Sequence, residues 1–394
     1  MLNKKLFSTA AAPIYLIVFI GFLFGLILFS VWTITTATQE SLVLLEISAP
    51  LKRQKIDELR KRQERLARHN LKGIYLTAYS AGNDEKITAI IDLIERTELN
   101  AVVIDIKDYA GKVLYDSAVP PVVELGLADN RLGDVKALLN SLHRADIYVI
   151  ARQTVFQDPI LAEKKPDWAL KNKNGGQWRD YKGLAWVDPA NRAVWDYNLA
   201  IAREAIKFGF EEINFDYVRF PSDGDMSVLQ YNHSQREKYE VMAEFFDYLD
   251  KNLDASPVNL SLDFFGFALE KTGTDDMNIG QRLDDALDKV DGIYPMMYPS
   301  HYPDGHLGLS NPAEHPAVVI KNGLELGTPR FAGKKAVLRP WLQAFNLGAI
   351  YDAEKIRAQI DMTESYTDAG WFLWNAANRY SEAGLKLVET GDRR

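Results

Sequence analysis

The chain has 394 residues, 47% hydrophobic and 25% charged, the make-up of an ordinary globular protein with ample apolar material for one large core. A formal net charge of -8 argues against a protein that neutralises nucleic-acid phosphates, so no nucleic-acid partner is expected and neutral or cationic polymers are favoured. The absence of cysteine excludes disulfides and thiolate metal sites, and it suits an extracytoplasmic compartment where thiols would oxidise.

At the N-terminus, Lys4 and Lys5 precede an uncharged apolar stretch from Pro13 to Trp32. As a helix this stretch would be about 30 Å long, the thickness of a bilayer's hydrocarbon core. A secretory signal peptide has an apolar region of only about 7 to 15 residues, although Thr35 and Ala37 could form a small-residue cleavage site. The expectation is a cytoplasmic tail over residues 1–12 and an uncleaved transmembrane anchor over 13–32, with the membrane as a partner. Lys52, Arg53, Lys55, Arg60, Lys61, Arg62, Arg65 and Arg68 compete under the positive-inside rule but begin well beyond the span. The C-terminal bulk is therefore expected outside the cytoplasm. Residues 33–70 are expected to form a helical stalk, because Leu51 to His69 is rich in good helix formers with Ile56, Leu59 and Leu66 at roughly helical spacing. The alternative for this segment is a basic amphipathic helix lying on anionic headgroups.

From Leu71 onward, over residues 71–394, strand-like and helix-like runs alternate, as in parallel βαβ units. The predicted strands are Gly73 to Tyr79, Ala101 to Lys107, Ile147 to Thr154, Glu211 to Val218, Val258 to Phe265, Asp291 to Tyr298, Lys335 to Gln343 and Gly370 to Asn375. Helices are predicted over Glu85 to Arg96, Asp134 to His143, Ala190 to Phe208, Ser234 to Asn252, Gln281 to Asp288 and Ala353 to Tyr366. This alternation favours an α/β fold closed as a (β/α)8 TIM barrel. An open doubly wound sheet is the second choice, but no Gly-rich phosphate loop follows the first strand.

Strand parity selects the inward side chains. In the fourth strand Ile213, Phe215 and Tyr217 share the face suited to outer helices, leaving Asn214 and Asp216 inward. In the fifth, Asn259, Ser261 and Asp263 oppose Leu260, Leu262 and Phe264; in the second, Val103, Asp105 and Lys107 oppose Val102, Ile104 and Ile106. Three carboxylates, Asp105, Asp216 and Asp263, thus fall near the C-terminal ends of three strands, where charges are costly unless they bind or react. The plainer reading is a structural network in which Asp105 pairs with Lys107, Arg152 or Arg339. Two carboxyl groups across a pocket can cleave a glycosidic bond, one protonating the leaving oxygen while the other attacks carbon or activates water. Arg219 or Arg339 would hold the second of them ionised. Tyr79, Tyr298, Trp374 and especially Trp341, on the face of Arg339 and Gln343, are candidate stacking platforms for sugar rings, with core packing as the alternative for about half of such aromatics. Lys107, Asn214, Arg219, His301, Arg339, Gln343 and Asn375 complete the expected substrate-binding set.

Two runs carry a resemblance: Ile213-Asn214-Phe215-Asp216-Tyr217-Val218-Arg219-Phe220-Pro221 and Tyr294-Pro295-Met296-Met297-Tyr298-Pro299-Ser300-His301-Tyr302, supported by Val103 to Asp108 and Leu338 to Gln343. From Leu71 to Asn378 the chain resembles the glycoside hydrolase domain of many uncharacterised bacterial envelope proteins, which looks like a distant relative of amylase-type barrels. The resemblance implies Asp216 as nucleophile and Asp263 as general acid. Amylase-type barrels usually have a glutamate acid and an arginine two residues before the nucleophile; this chain has Asp263 and Asn214 in those places.

The expected function is a membrane-anchored hydrolase cleaving O-glycosidic bonds of an envelope or extracellular polysaccharide. The alternative is a barrel that binds glycan without cutting it. A polysaccharide deacetylase or other metal-dependent enzyme is a third reading. No cofactor and no metal site are expected, since the loop spacing of His301, His306 and His315 gives no helical face to hold an ion.

Overall fold

A computed structural model describes residues 56–231 and 235–388, with the isolated residues 25 and 30. The expected cytoplasmic tail, nearly all of the expected anchor and residues 33–55 lie outside them. Among the described residues no helix is long and apolar enough to cross a membrane. The chain divides into two units, one ending at Glu64 and the other beginning at Arg65. In the first, residues 56–64 are helical, and Arg60 donates to Glu64 across one turn at 2.8 Å.

The second unit is a closed parallel barrel. Its strands are β1 (Leu71–Leu76), β2 (Ala101–Lys107), β3 (Tyr148–Thr154), β4 (Glu212–Asp216), β5 (Asn259–Phe265), β6 (Gly292–Met297), β7 in two pieces (Val337–Leu338 and Trp341–Gln343) and β8 (Gly370–Trp374). Each pairs with the next, and the ring closes through Leu71 opposite Gly370. That closure settles the choice against an open sheet. The two pieces of β7 flank Pro340, which has no N–H for the ladder. The first strand stops at Leu76 rather than Tyr79, because the Thr77 hydroxyl accepts from Ser80 N and starts a short turn of helix, Ala78–Ala81.

The outer layer consists of α1 (Asp84–Arg96), α2 (Val135–Arg144), α3 (Arg192–Phe208), α4 (Lys238–Leu253), α5 (Leu283–Ala286), α6 (Pro316–Gly327) and α7 (Ala353–Glu364). Their starts follow capping chemistry: Asn83, Asp134, Asn191 and Asp352 each accept a backbone N–H with the side chain. In α1, Ile87, Ile90, Leu93 and Ile94 recur at helical spacing and are buried against the sheet. The α6 helix was not expected from the sequence; Pro316 at its first turn starts it, and its apolar run includes Gly323 and Gly327 pressed against Met297 and Leu269.

Two apolar cores result. The larger lies between strands and helices and takes Val102, Ile104, Ile106, Ile213, Phe215, Leu260, Leu262 and Phe264. The smaller fills the barrel with Leu71, Tyr75, Val103, Tyr148, Ile150, Tyr294, Tyr298, Trp341 and Phe372. The parity expected for β2, β4 and β5 therefore holds for these residues. Lys107 is the exception. The β2–β3 register shifts between Asp105, opposite Arg152, and Lys107, opposite Gln153, which turns Lys107 outward. It is fully buried between sheet and helices, bonded to Asp158 Oδ2 at 2.7 Å and Thr154 O at 2.9 Å, with its ammonium 5.6 Å from the Tyr197 ring of α3.

The N-terminal end of the barrel is closed by a polar layer and the segment after Arg65. Arg65 donates to Glu211 at 2.8 Å, His143 Nε2 lies 3.0 Å from the same carboxylate, and Asn259 donates to Leu66 O. Inside, Tyr148 and Tyr294 donate to Glu212 at 3.0 and 2.6 Å, and Arg339 donates to Tyr294 OH, His69 O and Ala369 O.

Candidate active site

At the opposite end, inward positions near the C-terminal ends of β2, β3, β4 and β5 hold Asp105, Arg152, Asp216 and Asp263. Arg152 Nη1 donates to Asp105 Oδ1 at 2.6 Å, and Nη2 donates to Asp216 Oδ2. Nε lies 3.5 Å from Asp263 Oδ2. One guanidinium thus serves three carboxylates. Its carbon stands 5.0 Å from the Trp374 ring and 5.5 Å from that of Tyr75, and the Tyr75 hydroxyl donates to Asp105 Oδ2 at 2.5 Å.

The three acids differ in environment. Asp263 is the deepest, 1% exposed against 5% for Asp105 and Asp216. Its Oδ1 accepts from Trp341 Nε1 at 2.8 Å and Asn214 Nδ2 at 3.0 Å. Burial first and the charge of Asp216 second push its carboxyl up to about 8, against the opposing pull of Arg152, Trp341 and Asn214. Burial also raises Asp105, opposed by Arg152 and the Tyr75 hydroxyl. Asp216 Oδ1 accepts from Tyr217 N at 2.5 Å, and Tyr217 itself adopts φ 54. A bulky residue held there costs about 1–3 kcal/mol, and such strain concentrates where a side chain must be aimed.

The remaining expected site residues separate into groups. Tyr298, 7% exposed, borders the carboxylates, and burial followed by Asp263 and Asp216 holds its hydroxyl well above the ordinary tyrosine range. It meets His301 and Phe345 edge-on at 5.4 and 5.7 Å, while Ser300 Oγ lies 3.1 Å from His301 Nδ1. Burial lowers the His301 imidazole below the usual histidine value. Asn375 and Gln343 shape the rim from within: Asn375 donates to Ala344 O, and Gln343 accepts from Ser300 N and donates to Phe345 O. Tyr79 lies on the surface at 60% exposure with Arg131 4.8 Å from its ring.

Three expectations are corrected, and that for Arg219 is narrowed. Lys107 faces the helix layer, for the register reason above. Arg339 faces inward but sits in the polar layer at the N-terminal end, bonded to Tyr294, so it neither meets substrate nor holds a site carboxylate ionised. Trp341 is fully buried, with its indole N–H spent on Asp263 and its ring 5.4 Å from Trp374, which removes it as a stacking platform. Arg219 interacts with the charge of Asp216 but makes no hydrogen bond to it: it donates to Phe220 O and Ser222 Oγ and lies against the rings of Trp186, Tyr217 and Phe265. Asn214 remains in the site, but as a support for Asp263.

Sequence reasoning named Arg152 only as a structural partner of Asp105, a pairing the structure shows, and missed its reach to Asp216 and Asp263 and Tyr75 as its neighbour. The signal was available, since Arg152 falls on the inward parity of β3 with Tyr148 and Ile150. Among the described residues, no group of three or more histidine or acidic side chains is placed to hold a metal ion.

A family model described as "Putative glycosyl hydrolase domain" matches residues 73–380. The chain belongs to that family. Its general class is therefore that of a glycoside hydrolase, and the matched region contains the whole barrel from Gly73 onward, with all three carboxylates. No curated protein matches the chain. Among solved structures, a hypothetical protein from Ruminiclostridium thermocellum is 42% identical over 48% of this chain and 96% of its own, with a TM-score of 0.46. The PgaB (BpsB) glycoside hydrolase domain from Bordetella bronchiseptica has a TM-score of 0.55 at 12% identity, covering 78% of this chain and 94% of its own. Alpha-L-fucosidase isoenzyme 2 from Paenibacillus thiaminolyticus has a TM-score of 0.53 at 12% identity, covering 78% of this chain and 46% of its own. At such identity these last two bear on the fold alone.

Proposed function

We propose that this glycoside hydrolase cleaves O-glycosidic bonds of an envelope or extracellular polysaccharide with Asp216 and Asp263 as its working carboxyl pair. The observation that carries this reading is the contrast between them: Asp216 accepts from an arginine and a backbone N–H, whereas Asp263 is desolvated beside it and raised to about 8. A buried carboxyl that keeps its proton near neutrality, next to a carboxylate paired with a cation, is what acid-assisted cleavage needs. Asp263 gives its proton to the glycosidic oxygen as the bond to the anomeric carbon breaks. Asp216 supplies the electron pair on the other side, either directly to that carbon or by taking a proton from the attacking water.

Asp105 supports the pair through Arg152. Trp374 is the stacking surface that replaces Trp341 in this scheme, being only partly buried and beside Arg152. Tyr298 and His301 border the same opening and would contact the sugar. The chain would be held in a membrane by residues 13–32, with the barrel outside the cytoplasm, where such polymers are found; the length and apolar character of that stretch support this.

Asp216→Asn assayed against a panel of bacterial surface glycans tests the reading. Loss of reducing-end release with glycan affinity kept is expected. Undiminished release by the variant overturns the assignment, and affinity without release in the wild type favours a glycan-binding barrel.

A further inference from the structure

The two-carboxylate scheme gives Arg152 and Asp105 only a supporting part, and the pattern of contacts says what that support does. Arg152 is 6% exposed, and its two terminal nitrogens are committed to Asp105 and Asp216. Each of those acids receives a second donor, the Tyr75 hydroxyl for Asp105 and the Tyr217 backbone N–H for Asp216, so that both oxygens of each accept. A carboxylate with donors on both oxygens is favoured in its charged form. Asp263 differs. Both of its hydrogen bonds, from Asn214 and Trp341, fall on Oδ1. Its Oδ2 faces Arg152 Nε across 3.5 Å, and that Nε, although buried, has no hydrogen-bond partner.

The groups that face Asp263 are Asp216 and Asn214 from β4, Arg152 from β3, Trp341 from β7 and Tyr298 beyond the end of β6, with Asp105 and Tyr75 behind Arg152. Among the described residues, Arg152 is the cation that hydrogen-bonds to these acids, and its bonds are directed to two of the three.

We propose that Arg152 is a positioning residue that assigns the site's proton: its two terminal nitrogens are taken up by Asp105 and Asp216, and the proton is left on Asp263 Oδ2, the one carboxyl oxygen that no donor occupies. The location of the proton does not depend on turnover; its catalytic meaning rests on the function proposed above. Asp105 then serves as the counter-anion that fixes the guanidinium, with the Tyr75 and Trp374 rings holding its plane.

The Trp341 indole N–H reports the charge on Asp263 directly, because it donates to Oδ1 at 2.8 Å. The full chain, labelled with 15N at tryptophan and assigned with Trp341→Phe, is titrated from about pH 5 to pH 10, a window set to bracket the expected transition. In the wild type the Trp341 resonance moves in one step with its midpoint near about 8. In Arg152→Met the three acids compete for protons, and the resonance moves in two steps. In Asp216→Asn, which keeps the shape and removes the neighbouring charge, one step remains and its midpoint falls by about one pH unit or more.

A wild-type resonance that does not move and stays apart from its position in Asp263→Asn, the neutral isostere, overturns the proposal, since Asp263 would then be ionised throughout. So does a single step at the wild-type midpoint in Arg152→Met. If Arg152→Met does not fold, Asp216→Asn decides: an unchanged midpoint means Asp216 carried no charge beside Asp263. Failure of the glycosidase reading is seen separately, as undiminished hydrolysis by Asp216→Asn.

Discussion

The Tyr75 ring lies flat against the Trp374 ring, with centroids 3.8 Å apart and planes 16° from parallel. These residues sit at the ends of β1 and β8, so the stack fastens the seam where the barrel closes and stands beside Arg152, whose guanidinium carbon is 5.0 and 5.5 Å from the Trp374 and Tyr75 ring centroids. Trp374→Ala removes half of the stack and one wall of the guanidinium. A loss of about 2–4 kcal/mol in denaturant unfolding is expected, near the low end of core aromatic truncations because Trp374 is only partly buried. Glycan affinity should fall with it, measured by calorimetry on the polymer that the wild type cleaves.

With Asp263 as the proposed general acid, its raised carboxyl is expected to set the alkaline limit of activity. A general acid must be protonated, so kcat/KM is expected to fall as pH rises through about 8. The same group ties stability to pH. Its folded-state value lies above its unfolded one, so the folded protein binds the extra proton; the contribution is complete below the unfolded pKa, about 3.9, and is lost as pH rises through the folded value. Asp263→Asn should gain on the wild type in thermal melts as pH rises from about 4 to about 8, while losing hydrolysis. A pH-independent difference between the two melts would contradict this.

The Lys107–Asp158 pair is buried at both ends, 2.7 Å apart, and outside the barrel's interior. Lys107→Met leaves Asp158 buried without its cation and is expected to cost about 3–5 kcal/mol. Combining Lys107→Met with Asp158→Leu should recover much of that loss. Enough folded double variant to assay should retain substrate affinity; a specific loss of affinity would return Lys107 to the substrate.

At the far end of the barrel, burial would raise Glu211, but hydrogen bonds from His143 and Arg65 outweigh it and hold the carboxyl below its usual range. Its contribution is present above the unfolded pKa and lost as pH falls through the folded value. Glu211→Gln strands the buried Arg65 and should cost about 3 kcal/mol in urea unfolding near neutrality. Because this network lies at the end away from Asp216, the specific activity of the folded variant should be unchanged.

The sequence by itself determined the alternation of strands and helices, and through period-two parity the inward turn of Asp105, Asp216 and Asp263. Both are local properties: a helix cap or the side of a strand on which a residue falls is decided by near neighbours and a fixed backbone repeat. Parity fails only where the ladder slips, as it does between Asp105 and Lys107, and nothing in Val103-Ile104-Asp105-Ile106-Lys107 announces that slip. Depth along the barrel axis and partners across it were decided by the tertiary structure. Arg339 and Trp341 share an inward face, yet the stagger of eight strands sets the first beside Tyr294 in the closed end and the second beneath Asp263. Arg152 is remote in sequence from the three acids it joins, and only closure of the sheet brings β2, β3, β4 and β5 side by side so that one guanidinium reaches them all.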